Sequence, residues 1–249
     1  NYNIVTTRVT DMSDQFLNKD TFNSDISHWD TSNVTNMDNM FGAALLFNQP
    51  IGIWDTSKVT SMIATFMLAR NFDQPLDGWD TGEVTDMTQM FNGAGEFKQN
   101  INTWDTSKVT SMSYMFYEAL DFNQPIGNWD VSQVTNMAYM FAGANVFNGD
   151  ISDWNVSNVT NMSYMFDGAY VFNGDISTKS ITREDESEYT AWDVSSVTNM
   201  TKMFKGATKF NQDISGWNVS NVRSMTDMFD DADVFNQDIS AWDVSNVIS

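Results

Sequence analysis

Cysteine is absent from these 249 residues. That removes disulfides, thiolate metal sites and thiol nucleophiles together. A single histidine, His28, rules out a His-based metal cluster within one chain. Spacing gives it no Ser-His-Asp or Cys-His company. Basic residues are scarce, 12 against 33 acidic ones, for a formal net charge of −21. That balance argues against a basic face for nucleic acid or anionic lipid, and suits cationic, neutral or metal-bridged partners. No apolar run approaches the ~18 residues of a membrane span, so no membrane insertion is expected. No signal peptide is visible. The chain opens at Asn1 and stops partway into a further copy of its own pattern. It therefore reads as a segment of a longer multidomain protein.

What is present is a repeat. All nine Trp fall on one column: Trp29, Trp54, Trp79, Trp104, Trp129, Trp154, Trp192, Trp217 and Trp242. The step is 25 residues except once, where 13 extra residues, 178–190, lengthen it to 38. Ile4 holds the Trp place at the start. The chain reads as one domain, 1–249, of about ten turns, with a partial first turn (1–28) and a truncated last one (242–249).

With each Trp numbered as column 1, all eighteen Phe occupy columns 13 or 19, and sixteen of seventeen Met occupy columns 9 or 12. Met67 alone strays. Val fills column 6, Ile or Leu column 23, and Ala column 16 apart from Lys19. Large apolar groups indexed so tightly belong to a stack in which like sits over like. The Met columns match a packing role better than a copper site.

Columns 9, 12, 13 and 16 have the spacing of one helical face. Column 8 is always Asp, Asn or Ser, good N-cap residues. Gly at column 15 suits a helix end. A two-turn helix is predicted from column 9 to about 16. Columns 1 to 3 alternate apolar and polar and predict a short strand. Columns 20 to 22, which hold all three Pro, predict a turn. The expected fold class is an α/β repeat, a parallel sheet on one face and short helices on the other.

The string V-T-x-M-x-x-M-F-x-x-A-x-x-F, as in Val34 to Phe47, resembles the leucine-rich repeats of BspA-like surface proteins. The longer WDVSxVTNMxxMFxxAxxFNQDISxW form is similar to the repeat of mycoplasma surface lipoproteins and of large bacterial and algal surface proteins. The resemblance implies a right-handed leucine-rich-repeat solenoid, display at the cell surface or outside the cell, and roles in adhesion or binding. It brings no catalytic residues. Lipid anchoring in mycoplasma needs an N-terminal Cys, which this chain lacks, so anchorage is not carried over.

Three columns and the insertion are candidate sites. Column 2 holds Asp55, Asp80, Asp105 and Asp130 in succession. Ca²⁺ could bridge carboxylates of adjacent turns there. The competing reading is that each Asp accepts hydrogen bonds from the Ser at column 4 or from turn amides. No other metal or cofactor is expected. Column 7 holds Thr35, Thr60, Thr85, Thr110, Thr135 and Thr160, joined by Thr31, Thr56, Thr81 and Thr106 in column 3. Evenly spaced hydroxyls could match ice or another lattice, or bond locally. Column 11 varies freely, but three consecutive units place Tyr114, Tyr139 and Tyr164 there, with Tyr117 and Tyr170 nearby. Such a stripe points outward, and Tyr is enriched in binding hot spots. The insertion could contribute to a binding face or be a tolerated loop. Carboxylate pairs are too many to single out a glycosidase pair. The sequence thus points to a non-catalytic module that binds a protein or glycan. An ice- or lattice-binding face is the alternative, and a passive structural stalk a third reading.

Overall fold

The computed structural model describes residues 6–183 and 185–249. Ile4 of the Trp column and Glu184 of the insertion lie outside the described residues. The 25-residue register is realised as a column of stacked units. Column-13 rings repeat along it at 5.5 to 5.7 Å, as in Phe41–Phe66 and Phe91–Phe116. Column-19 rings follow at 5.7 to 6.1 Å, as in Phe22–Phe47 and Phe97–Phe122. Within a unit the two Phe stack face to face, 3.9 Å apart for Phe116 and Phe122. The Trp rings run alongside, with Trp104 and Trp129 at 6.4 Å. From Trp54 onward each indole hydrogen is taken up by a column-23 carbonyl one coil below: Nε1 of Trp79 donates to the Ile51 carbonyl at 3.0 Å. This explains why a large apolar ring with one donor suits a dry interior. Among the described residues every buried side-chain nitrogen and oxygen has a partner.

The predicted helices are absent. Among the described residues no helix forms, and the only strands are two short ones in the insertion. Columns 9 to 16 instead make two successive four-residue turns. The Met40 amide donates to the Met37 carbonyl at 3.2 Å, and Ala44 to Phe41 at 2.9 Å. The third residue of each turn is left-handed, as in Asn39 (φ 52°) and Ala43 (φ 54°), the requirement of a type II turn. The corners of two such turns fall at i, i+3, i+4 and i+7. A helix face has that same spacing, so periodicity alone cannot separate the two. Hydrogen bonding does. Amides of columns 9, 11, 13 and 15 donate to carbonyls of columns 8, 10, 12 and 14 in the next unit. Tyr114 to Ala138 and Phe116 to Met140, both 2.9 Å, are examples. An isolated eight-residue helix is costly to nucleate. Bonds along the stack satisfy the same donors without it.

The parallel sheet is corrected likewise. Columns 1 to 3 form no strand. Parallel contact survives as one bridge per unit at column 8, from Asp11↔Asn36 to Asn199↔Ser224. The Asp and Asn of column 8 do accept amides, as Asx turns rather than helix caps: Asn36 Oδ1 takes the Asp38 amide at 2.8 Å. Gly93 at column 15 has φ +68°, and a Cβ there would lie 2.6 Å from Leu68. Its role is the left-handed turn position, not a helix terminus. The leucine-rich-repeat architecture of helices facing a parallel sheet is therefore not this chain's fold.

The insertion is a β-hairpin. β1 (Lys179–Thr182) and β2 (Glu188–Ala191) pair antiparallel, with Ile181 opposite Tyr189. Alternation turns Lys179, Ile181, Tyr189 and Ala191 toward the stack and the intervening residues to solvent. The stack continues beneath it without a break: Phe166 and Phe204 are 5.7 Å apart across 38 residues of sequence.

Candidate functional site

The three column-11 tyrosines form a ladder on the outside of the stack. Tyr114 and Tyr139 have ring centroids 4.4 Å apart, Tyr139 and Tyr164 4.2 Å, each pair within 9° of parallel. All three occupy the left-handed turn position, with φ of 59°, 59° and 60°. That conformation aims the side chain away from the Met and Phe corners, and each ring is half-buried. Tyr117 leans on the first two rings at 5.7 and 6.2 Å, tilted. The Lys202 ammonium lies over Tyr164, 5.3 Å from its centroid. Tyr170 is exposed at column 17, outside the ladder.

This geometry decides what the ladder can offer. Tyr139 has a ring on each face, and Tyr164 has Tyr139 on one face and Lys202 over its ring. Their faces are not available to stack on a sugar. Edges and hydroxyls are what they present. Burial, then the neighbouring Tyr164 phenol, pushes the Tyr139 hydroxyl well above the ordinary phenol range. Burial also raises Tyr117, with Glu118 adding to it. Asp167 follows Tyr164 in the next turn, and burial raises its carboxyl against the pull of Lys205 and Lys202. At the middle of the ladder Tyr139 thus holds its proton more tightly than an ordinary phenol, on a strongly acidic chain.

The other columns behave differently. Asp55, Asp80, Asp105 and Asp130 are exposed, and each spends an oxygen on its own loop. Asp55 Oδ1 accepts from Ser57 N at 3.1 Å and Ser57 Oγ at 2.6 Å. Asp80 accepts from Gly82, Asp105 from Ser107 and Asp130 from Ser132. The Ser57 hydroxyl and amide hold Asp55 below the usual carboxylate range, as Ser107 does Asp105. Among the described residues no group of three or more His, Asp or Glu is placed to hold a metal ion.

In column 7, Thr35, Thr60, Thr85, Thr110, Thr135 and Thr160 are exposed, but their hydroxyls point along the stack. Each donates to the Thr carbonyl of the unit before, as in Thr60 to Thr35 at 3.2 Å and Thr110 to Thr85 at 3.1 Å. The same carbonyl receives the Thr amide. Thr31, Thr56, Thr81 and Thr106 are buried, so they belong to no outer face. Each bonds the next unit's column-2 carbonyl, Thr106 reaching Asp130 at 2.9 Å.

One ladder escaped the sequence reading. Column 20, expected only as a turn, passes each side-chain oxygen to the next unit's amide. Asn123 takes the Asn148 amide and Asn148 takes that of Asn173, both at 2.8 Å. The recurrence of Asn at this column was the available signal.

The same 25-residue unit carries the family match. The family described as "Mycoplasma protein of unknown function, DUF285" matches residues 2–103, 85–190 and 178–249. The chain belongs to this family. Three successive matches along one DUF285 chain fit a repeat protein whose inner columns recur from end to end. The kinship is to a mycoplasma-type repeat, and it does not extend to the BspA-like leucine-rich repeat as such. No curated protein and no solved structure matches the chain.

Proposed function

We propose that this DUF285 chain is a non-catalytic recognition module, displayed at the cell surface or secreted, that adheres to a partner through the Tyr114–Tyr139–Tyr164 strip. The observation that carries this reading is the ladder itself. The recurring Trp and Phe columns serve the core, whereas this one sits outside on three consecutive units only. The strip combines large amphipathic area with little side-chain freedom to lose, the profile of a protein-binding hot spot. Covered ring faces favour a protein partner over a glycan here, because a sugar would need an open face. The resemblance of the repeat to that of mycoplasma surface lipoproteins supports adhesion as the role.

The test presents chain-coated beads to purified matrix proteins and to a glycan array. The triple variant Tyr114→Ser, Tyr139→Ser, Tyr164→Ser is expected to melt within a few degrees of the parent and to lose protein binding by about tenfold or more. Undiminished binding by the variant would retire the strip.

A further inference from the structure

The stack presents nearly the same outer surface unit after unit, and at one place something is built over it. The β1–β2 hairpin folds back onto the coils of Trp129 and Trp154. The Tyr189 hydroxyl donates to the Asp153 carbonyl at 2.6 Å. Lys179 bridges Asp153 at 3.0 Å and Asp175 at 3.6 Å. The Arg183 guanidinium lies over the Tyr189 ring, 4.5 Å from its centroid. These contacts hold the hairpin beside columns 25, 1 and 2 and leave an open-mouthed cleft of about 170 Å³, lined by Trp129, Asp130, Asn155, Arg183 and Tyr189.

A second departure coincides with the hairpin. Column 2 carries Asp in most units and Asn in two, Asn155 and Asn218; only Asn155, next to Asp130, lies beside the hairpin. Two neighbouring carboxylates become a carboxylate beside an amide. Asp130 Oδ1 takes the Ser132 amide. Asn155 Oδ1 takes the Ser157 amide and hydroxyl. The second oxygen of Asp130 and the amide nitrogen of Asn155 have no partner among the described residues. An acceptor and a donor on adjacent coils therefore line one cleft, and Arg183 lines it as a further donor.

We infer that this cleft is a binding site for a single neutral sugar residue. Hydroxyls on neighbouring ring carbons both donate and accept, so one can give its proton to Asp130 while the next receives the Asn155 amide. A charged acceptor makes the first of these the stronger contact. The volume lies below the roughly 300 Å³ at which pockets for drug-sized ligands begin, which suits one ring and not a chain of them. An acidic sugar is disfavoured, since its carboxylate would enter beside Asp130 and Asp153 on a chain of net charge −21. The site is separate from the tyrosine strip, and neither reading depends on the other.

Saturation-transfer NMR on the whole chain tests it, with galactose, glucose, N-acetylglucosamine and glucuronate as separate probes. At least one neutral sugar is expected to show transfer, more strongly than glucuronate. Asp130→Asn keeps the oxygen that caps Ser132 and removes the charged acceptor. It is expected to weaken that sugar about tenfold or more. Arg183→Ala is expected to weaken it as well, both variants keeping the parental melting temperature. Absence of transfer from every neutral sugar would overturn the assignment. So would a preference for glucuronate, or neutral-sugar binding undiminished in Asp130→Asn.

Discussion

The Phe ladder of column 13 and the Tyr ladder of column 11 lie two residues apart in every unit that has both. Both stack along the same axis, yet the inner rings are spaced at 5.5 to 5.7 Å and the outer ones at 4.2 to 4.4 Å. The inner ladder runs the length of the stack and is fully buried from Phe41 to Phe204, with Phe229 in the last turn half-buried. Each of its rings also packs against a column-19 Phe and in most units a Trp. The outer ladder is half-buried, spans three units and ends under a lysine. Aromatic stacking is thus not itself the mark of the core here. Enclosure on all sides is.

The largest contrast is in stability. Phe116→Ala opens a cavity in the inner ladder and is expected to cost roughly 3–5 kcal/mol. Tyr139→Ser, on the half-exposed ladder, should cost well under half of that. Chemical unfolding of the two variants measures both, and equal losses would break the comparison. A smaller effect separates inner contacts from outer caps. Ser57 holds Asp55 below its ordinary value, so the folded state favours the charged form. That contribution is present above the unfolded carboxylate pKa of about 3.9 and is lost as pH falls through the lower folded value. Ser57→Ala should therefore melt below the parent at pH 7, the gap closing in acid, whereas the gap for Phe116→Ala should persist there. Melting scans from pH 7 to pH 2 decide it. The subtlest difference is spectroscopic. Tyr139 should ionise later than an ordinary phenol in an ultraviolet titration, and Tyr164→Phe should bring it down, because Tyr164 adds to the upward shift caused by burial.

Much of this was legible from residue types alone. The register, the buried columns and the outward column 11 follow from where Trp, Phe, Met and Tyr recur. The left-handed place at column 15 announced itself through Gly93, Gly143, Gly168 and Gly206. Its counterpart at column 11 did not. Ala64, Gln89 and Tyr114 adopt positive φ there with no residue preference to signal it. The helix expectation failed for that reason, and because each amide's partner lies about 25 residues away, beyond any local window. The buried column-3 Thr were misplaced on an outer face because a hydroxyl signals polarity, not the carbonyl waiting for it in the next coil. The cleft beside the hairpin could not be read at all. It depends on which way the hairpin folds, and the ion pair of Lys179 with Asp153 joins residues from different coils.

The column-20 series has one irregular rung. Lys98 stands where most units have Asn. It receives from below, its amide bonded to Asp73 at 3.0 Å, but its side chain has no oxygen to pass upward to Asn123. Its ammonium reaches the next coil instead, 4.0 Å from Asp121. At this one joint an exposed charge pair stands where an amide bond stands elsewhere, so added salt loosens this rung and leaves the others unchanged.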